Sequence, residues 1–429
     1  MQFFYTWLMR LVLPFILLRL WWRGRSLPAY RQRWRERLGQ VPPRASRRPL
    51  VWVHSVSVGE TLAAVPVIET LAARHQDWQW LVTTTTPTGS ERVHAALAES
   101  LGGRLLHYYL PYDLPECLTP FLDRLRPRLL IIIETELWPN LLRLCEKRDI
   151  PVLLANARLS EKSARGYGRF AGLTRTMLGR LARVVAQYPD DAERFLKLGL
   201  PAERLRTSGN IKFDLTIDRG LSSEAQAIGH QWRGASGRPV WLAASTHEGE
   251  DELVLEAFTL LRERFADLLL VLVPRHPQRF DSVARLCRER GLACRRRSAG
   301  GNVGTAEQVL LGDTMGELLR FYGACDVALV GGSLVPVGGH NMIEPAAWGV
   351  PVVCGPHLHN FAKVAELLRG AGALRVAETP REIAASVAVW LEDAQRRDRD
   401  GAAGRRVAEA NSGALGRLVD EIESLAVTL

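Results

Sequence analysis

A chain of 429 residues is too long for one ordinary domain and calls for two or three. An apolar share of 47% with 24% charged side chains excludes a disordered chain, and six cysteines with no CxxC pair and no Cys/His zinc spacing argue for a reducing compartment and against a structural metal. The formal net charge of +10 suggests a polyanion, but eleven arginines and a single acid, Glu36, in residues 1–50 account for all of it. The rest is balanced, 45 basic against 45 acidic side chains, so no nucleic-acid footprint is expected on the body of the fold.

The first 22 residues, MQFFYTWLMRLVLPFILLRLWW, are apolar and aromatic, with Tyr and Trp near both ends in the manner of interfacial anchors. Such a segment is long enough to cross a bilayer or to lie along its surface, and the residues leave both open. Arg19, Arg23, Arg25, Arg31, Arg33, Arg35 and Arg37 come in quick succession. Either placement puts the rest of the chain on the cytoplasmic membrane face, through the positive-inside rule or through anionic headgroups. No small-residue cleavage site comes after the segment, so a cleaved signal peptide is not expected.

From Leu50 onward, apolar runs alternate with helical segments. Strands are predicted at Leu50–His54, Trp80–Thr84, Leu105–Leu110, Leu129–Ile133, Val152–Ala155 and Val184–Ala186. A second series occupies Val240–Ala244, Leu268–Val273, Val309–Leu311, Val327–Val330 and Val350–Cys354. Continuous rather than alternating apolar strands mean parallel sheets covered on both faces by crossover helices. Both series open alike, with a Ser-containing turn leading to Gly59-Glu60 in one and Gly249-Glu250 in the other. The expected architecture is therefore α/β, two doubly wound domains facing a cleft, with the polar stretch 213–237 as linker.

In such sheets ligands bind at the carboxyl ends of strands. The run Val51–Thr61 reads as strand, turn and a helix opening near Glu60 with Leu62, Val65, Ile68, Leu71 and Ala72 on one face. Glu60 there either accepts a proton from a substrate hydroxyl or only complements the helix dipole. Strand geometry puts Glu134 and Glu136 on one face at the end of the Leu129–Ile133 run, where acids in a parallel sheet imply a task or, for Glu134, a loop held through backbone amides. The polar turns Thr83–Ser90 and Asn156–Arg158 suit sugar or phosphate, though a turn threonine also serves as a helix cap, and Lys212 in Gly209–Asp214 either reaches a phosphate or is solvated surface.

In the second half, Pro274-Arg275 ends an apolar strand with a group matched to phosphate or carboxylate. Met315-Gly316-Glu317 opens a helix whose free amides can receive an anion. The glycine-rich run Gly331–Pro345 lets a ligand approach the backbone, with a helix expected from Asn341 and with Glu344 placed to take two ribose hydroxyls. It lacks the Gly-Lys-Ser/Thr of a phosphate loop. His357 and His359 have no obvious third ligand, so no metal site is expected.

The runs HSVSVGE (54–60), TTTTPTGSERV (83–93), ETELWPN (134–140), ANARLS (155–160), STHEGE (245–250), LVPRHPQRF (272–280), GDTMGEL (312–318) and GGSLVPVGGHNMIEP (331–345) resemble the Kdo transferases of lipopolysaccharide synthesis nearly end to end. Those enzymes move an eight-carbon sugar acid, Kdo, from its cytidine monophosphate derivative to a lipid A precursor. The resemblance implies a GT-B glycosyltransferase without a cofactor, held at the cytoplasmic side of a bacterial inner membrane. Residues 1–25 would be the anchor, 26–215 the lipid-acceptor domain and 216–429 the CMP-Kdo domain. It makes Glu60 the base, with Glu134 and Lys212 stabilising the transition state. It assigns CMP-Kdo to Pro274, Arg275, Met315, Gly316, Glu317, Asn341, Met342, Ile343 and Glu344. Two rivals remain: a GT-B enzyme with another nucleotide-sugar donor, and a membrane-tethered nucleotide- or lipid-binding protein without turnover.

Overall fold

The computed structural model of the protein describes residues 2–25 and 27–426. The chain forms two compact units, one made of residues up to Asp214 together with the segment from Ser412 on, the other of Leu215–Asn411.

The first unit is built on a seven-stranded, all-parallel sheet of β1 (Leu50–His54), β2 (Gln79–Thr84), β3 (Leu105–Tyr109), β4 (Leu129–Ile133), β5 (Val152–Ala157), β6 (Arg183–Ala186) and β7 (Leu205–Thr207). Its spatial order is β3-β2-β1-β4-β5-β6-β7, so the winding reverses between β1 and β4. β1, β2 and β4 are buried along their whole length, as continuous apolar strands require. One face of the sheet packs Trp52 against Phe121 and Leu118, and the other packs Val51, Val53 and Trp80 against Ala64, Ile68 and Leu71.

The second unit repeats the plan with β8 (Val240–Thr246), β9 (Leu269–Pro274), β10 (Cys294–Arg296), β11 (Val309–Leu311), β12 (Val327–Val330), β13 (Val352–Cys354) and β14 (Leu374–Val376). The order is β10-β11-β9-β8-β12-β13-β14, again all parallel, and it reverses between β8 and β12. The predicted strands all appear. The three that sequence reading missed, β7, β10 and β14, are three-residue strands on sheet edges, and each is interrupted by arginine, so none shows as an apolar run.

Three expectations need correction. The stretch 213–237 is no linker, because Arg219–Arg233 is a helix of the second unit whose Ala225, Gly229 and Trp232, at helical spacing, are its only buried residues. The second unit ends at Asn411 rather than 429. The helix Ala414–Ala426 returns to the first unit and buries Ala414, Leu418, Val419 and Ile422 completely in its core. Both oxygens of Asp214 receive backbone N–H groups of that returning segment, from Gly413 and Leu415. Finally, residues 1–25 are not a separate domain, since the helix Gln2–Arg23 belongs to the first unit.

The arginines after that helix are not all available to a surface. Arg33 donates to Ser90 Oγ and to the carbonyl of His107, at 3.0 and 2.9 Å. Arg37 is 5% exposed, donates to Thr85 O and lies 4.0 Å from the centre of the Tyr109 ring. These two tie the segment to the ends of β2 and β3. Arg19, Arg23, Arg25, Arg31 and Arg35 remain at least partly exposed.

Candidate functional site

In the first unit, both candidate acids stand where the winding reverses, past the carboxyl ends of β1 and β4. The helix after β1 runs from Val58 to Arg74, two residues earlier than expected, because Ser57 caps it by accepting from Glu60 N. Its buried face is Ala63, Ala64, Val67, Ile68, Leu71 and Ala72, while Leu62 is exposed. The Glu60 carboxylate accepts from Val56 N at 2.7 Å and from Ser57 Oγ at 2.8 Å. Burial drives its pKa up to about 7 and the Glu134 charge adds to the rise, against the lowering effect of the Val56 amide.

Glu134 adopts a left-handed backbone, φ 64°, a conformation that is costly for a residue with a Cβ. Its carboxylate meets Lys212 Nζ at 2.8 Å. Lys212 is brought there by two asparagines. Asn156, also left-handed, receives Ile211 N on its side chain at 3.2 Å, and Asn210 receives Lys212 N at 3.1 Å. Glu136, like Glu60, has its pKa raised, through burial first and the Glu134 charge second. Lys212 pairs with that Glu134 charge.

Parts of the other polar runs serve the fold itself. Thr86 caps the helix Pro87–Leu101, and Thr83 Oγ1 takes both the Trp52 indole N–H and the His54 ring. Asn140 is completely buried and takes up Asp113.

In the second unit, Arg275 comes directly after Pro274 at the end of β9, and its backbone N–H donates to Thr246 O at 2.9 Å. Glu250 is fully buried, with four backbone N–H groups on its carboxylate: His247 at 2.8 Å, Gly332 at 2.7 Å, Ser333 at 3.0 Å and Leu334 at 2.8 Å. This brace shapes the glycine-rich loop after β12. Gly332 sits at φ +65°, and a Cβ on Gly331 would lie 2.6 Å from Ser245 O.

The loop returns His340 beside His247, their Nε2 atoms 2.8 Å apart and their rings stacked. His276 meets His247 edge-on at 5.2 Å. Sequence reading missed this three-histidine group, together with the buried Asp251–Arg279 pair near it. The available signal was three strand ends, those of β8, β9 and β12, each with a histidine within the next ten residues. Burial first, then Arg275 and the neighbouring imidazoles, hold His340 down at about 3, and His276 is lowered in the same way. His247 is lowered by burial and by Arg275, against Glu250.

Asn341 receives Ile343 N and donates to Glu344, whose pKa burial raises. The helix begins at Ile343, two residues later than expected. Met342 and Ile343 side chains are wholly in the core, so only their backbones can meet a ligand. Met315 is 63% exposed, Gly316 stands at φ +87°, and Glu317 is held by Arg297 at 2.8 Å, with its pKa lowered by that guanidinium. The helix there starts at Leu318.

The sequence is similar to those of known proteins along nearly its whole length. The 3-deoxy-D-manno-octulosonic acid transferase of Haemophilus influenzae is 41% identical over 421 residues, covering 98% of this chain and 97% of that one. The chain belongs to the 3-deoxy-D-manno-octulosonic acid (Kdo) transferase family. The Kdo transferase of Bordetella pertussis is 40% identical over 429 residues, covering 98% of each chain. A family model described as 3-Deoxy-D-manno-octulosonic-acid transferase (kdotransferase) matches residues 32–215. Among solved structures, Anabaena HepE in complex with UDP and glucose matches 89% of this chain and 100% of its own at a TM-score of 0.56 with 14% identity. The UDP-GlcNAc 2-epimerase of Neisseria meningitidis gives the same values. At that identity the likeness concerns the fold alone, the two-domain GT-B plan. As a Kdo transferase the chain is a glycosyltransferase of lipopolysaccharide synthesis.

Proposed function

We propose that this Kdo transferase takes Kdo from CMP-Kdo and places it on a lipid A precursor at the cytoplasmic side of the inner membrane, with Glu60 as the general base. One observation carries the reading: a half-buried carboxylate at the switch point of the first sheet whose pKa stands at about 7. A base is most effective when its pKa lies near the working pH. Glu60 takes the proton from the acceptor hydroxyl. The freed oxygen forms its bond to the anomeric carbon while the bond to the phosphate breaks, and CMP leaves with that electron pair from the opposite face. The product is inverted at that carbon.

Lys212, fixed by Glu134, adds positive charge near the developing negative charge. In the second unit Pro274, Arg275, the Met315–Glu317 turn and Asn341–Glu344 hold the donor. Arg275 serves its phosphate or sugar carboxylate, and Glu344, already bonded to Asn341, serves the ribose. The apolar N-terminal helix and the exposed arginines beside it keep the unit at the headgroup level, where the acceptor's phosphates lie.

The test is mass spectrometry of products from purified protein, CMP-Kdo and a tetraacylated lipid A precursor. Additions of Kdo that disappear in Glu60→Ala support the reading. Turnover of another nucleotide sugar but not of CMP-Kdo would discard the donor, and an undiminished Glu60→Ala enzyme would discard the base.

A further inference from the structure

The helix Gln2–Arg23 is long and apolar enough to cross a bilayer, yet its first turns and the chain just past it are bound to the same globular unit. At its start, Gln2 donates to Pro139 O at 2.9 Å and accepts from Arg180 Nη1 at 3.0 Å. The Thr6 hydroxyl donates to Asn140 Oδ1 at 3.0 Å in a buried contact, and one turn on Arg10 pairs with Glu116 at 2.7 Å. Asn140 and Asp113 anchor this end deeply: Asp113 is 4% exposed and receives Asn140 N and Leu141 N. Past the helix, Arg31 bonds back to Trp21 O, while Arg33 and Arg37 fasten the chain to the ends of β2 and β3.

A 22-residue helix is about 33 Å long, and the hydrocarbon core it would have to cross is about 30 Å thick. A crossing helix puts its ends on opposite sides of the membrane. Here that would either break every contact of Gln2, Thr6 and Arg10 or draw Asp113, Arg180 and the sheet behind them into lipid.

The faces of the helix agree. At about 100° per residue, Gln2, Tyr5, Thr6, Met9, Leu13, Ile16 and Leu20 share the partly covered side. Phe4, Leu8, Leu11, Phe15, Leu18 and Trp22 form the opposite stripe, exposed from 58% to 76%. Arg10 and Arg19 flank that stripe on either side, and Arg23 and Arg25 close its end. An apolar stripe edged by cations matches an anionic lipid surface, with the stripe in the acyl boundary and the guanidinium groups among headgroups.

We infer that Gln2–Arg23 is an in-plane anchor that lies along one leaflet and does not cross the bilayer. The inference rests on the membrane reading above and specifies its geometry. Nitroxide labels placed singly by Phe4→Cys, Leu8→Cys, Leu11→Cys, Phe15→Cys and Leu18→Cys test it in the full chain bound to vesicles of phosphatidylethanolamine and phosphatidylglycerol. These positions are exposed, and the native cysteines are buried except the partly buried Cys294, which is replaced in the background.

The in-plane anchor gives one shallow depth at all five sites, about 5–10 Å below the headgroups. A depth greatest near Leu11 and falling toward both ends would mean a crossing helix and overturn the proposal, with membrane binding intact. Failure to float with the vesicles would overturn the membrane reading and the anchor together. If that failure came with a dimer in lipid-free solution, the stripe would belong to a second copy of the chain.

Discussion

Glu60 and Glu250 occupy matching places in two sheets of related plan, each just past the turn after the first strand of its unit, and their surroundings are opposite. Glu250 is saturated by four backbone amides and has no free lone-pair direction for a ligand, so it braces the Gly331–Leu334 loop. Glu60 receives one amide and one hydroxyl, is only half-buried, and carries the raised pKa. Glu60→Gln should therefore reduce kcat about 10²- to 10⁴-fold with little change in melting temperature, measured by steady-state transfer beside circular dichroism. Glu250→Gln should act on stability instead. An amide cannot accept all four N–H groups, and each buried donor left unpaired costs about 1–3 kcal/mol, so thermal unfolding of the second unit should come clearly earlier. The internal similarity was legible in the sequence. The difference in surroundings was not, because it depends on amides that arrive from a loop some eighty positions away.

At the scale of elements, the strands were legible because burial on both faces forces uninterrupted apolar runs, and three short edge strands were hidden because arginine interrupts each of them. The turns were harder. Thr83 to Thr86 read either as ligand-binding polar groups or as a cap; Thr86 caps a helix, and Thr83 satisfies Trp52 and His54. The consequence is a pH effect on folding. His54 is held down at about 4 and His107 at about 3, mainly by burial, against an ordinary value of 6.5. Below about pH 6.5 the unfolded chain takes up protons that the folded one refuses, so stability is full above that pH and is lost as pH falls toward those depressed values. Each group contributes a slope of at most about 1.4 kcal/mol per pH unit. Melting temperatures from neutral pH downward should show this fall, and it should be shallower in His54→Gln, compared with that variant's own neutral-pH value.

For the whole molecule, the least legible feature was the return of the chain end. Nothing local in residues 412–426 says that they complete a sheet unit built some two hundred positions earlier. The helix is amphipathic, and its apolar face fits either unit by pattern alone. Its place is fixed by four fully buried side chains, by Asp214 holding its first amides, and by Arg74 and Arg183 pairing with Glu423 and Glu421. Burying an aliphatic side chain is worth about 1.5–3 kcal/mol, so truncation after Asn411 should destabilise the first unit by several kcal/mol and leave the melting of the second nearly unchanged in calorimetry.

Glu60 is the proposed base, and its neighbours are proposed to tune it. The pH dependence of kcat/KM for Kdo transfer tests this most directly, in the wild type and in Glu134→Gln. The wild type should rise through an apparent pKa of about 7 as Glu60 loses its proton. In Glu134→Gln, where a repelling charge is gone, that limb should move to lower pH even though the maximal rate falls. A limb that stays in place in the variant, or a wild-type rate that is level across that range, would contradict the assignment.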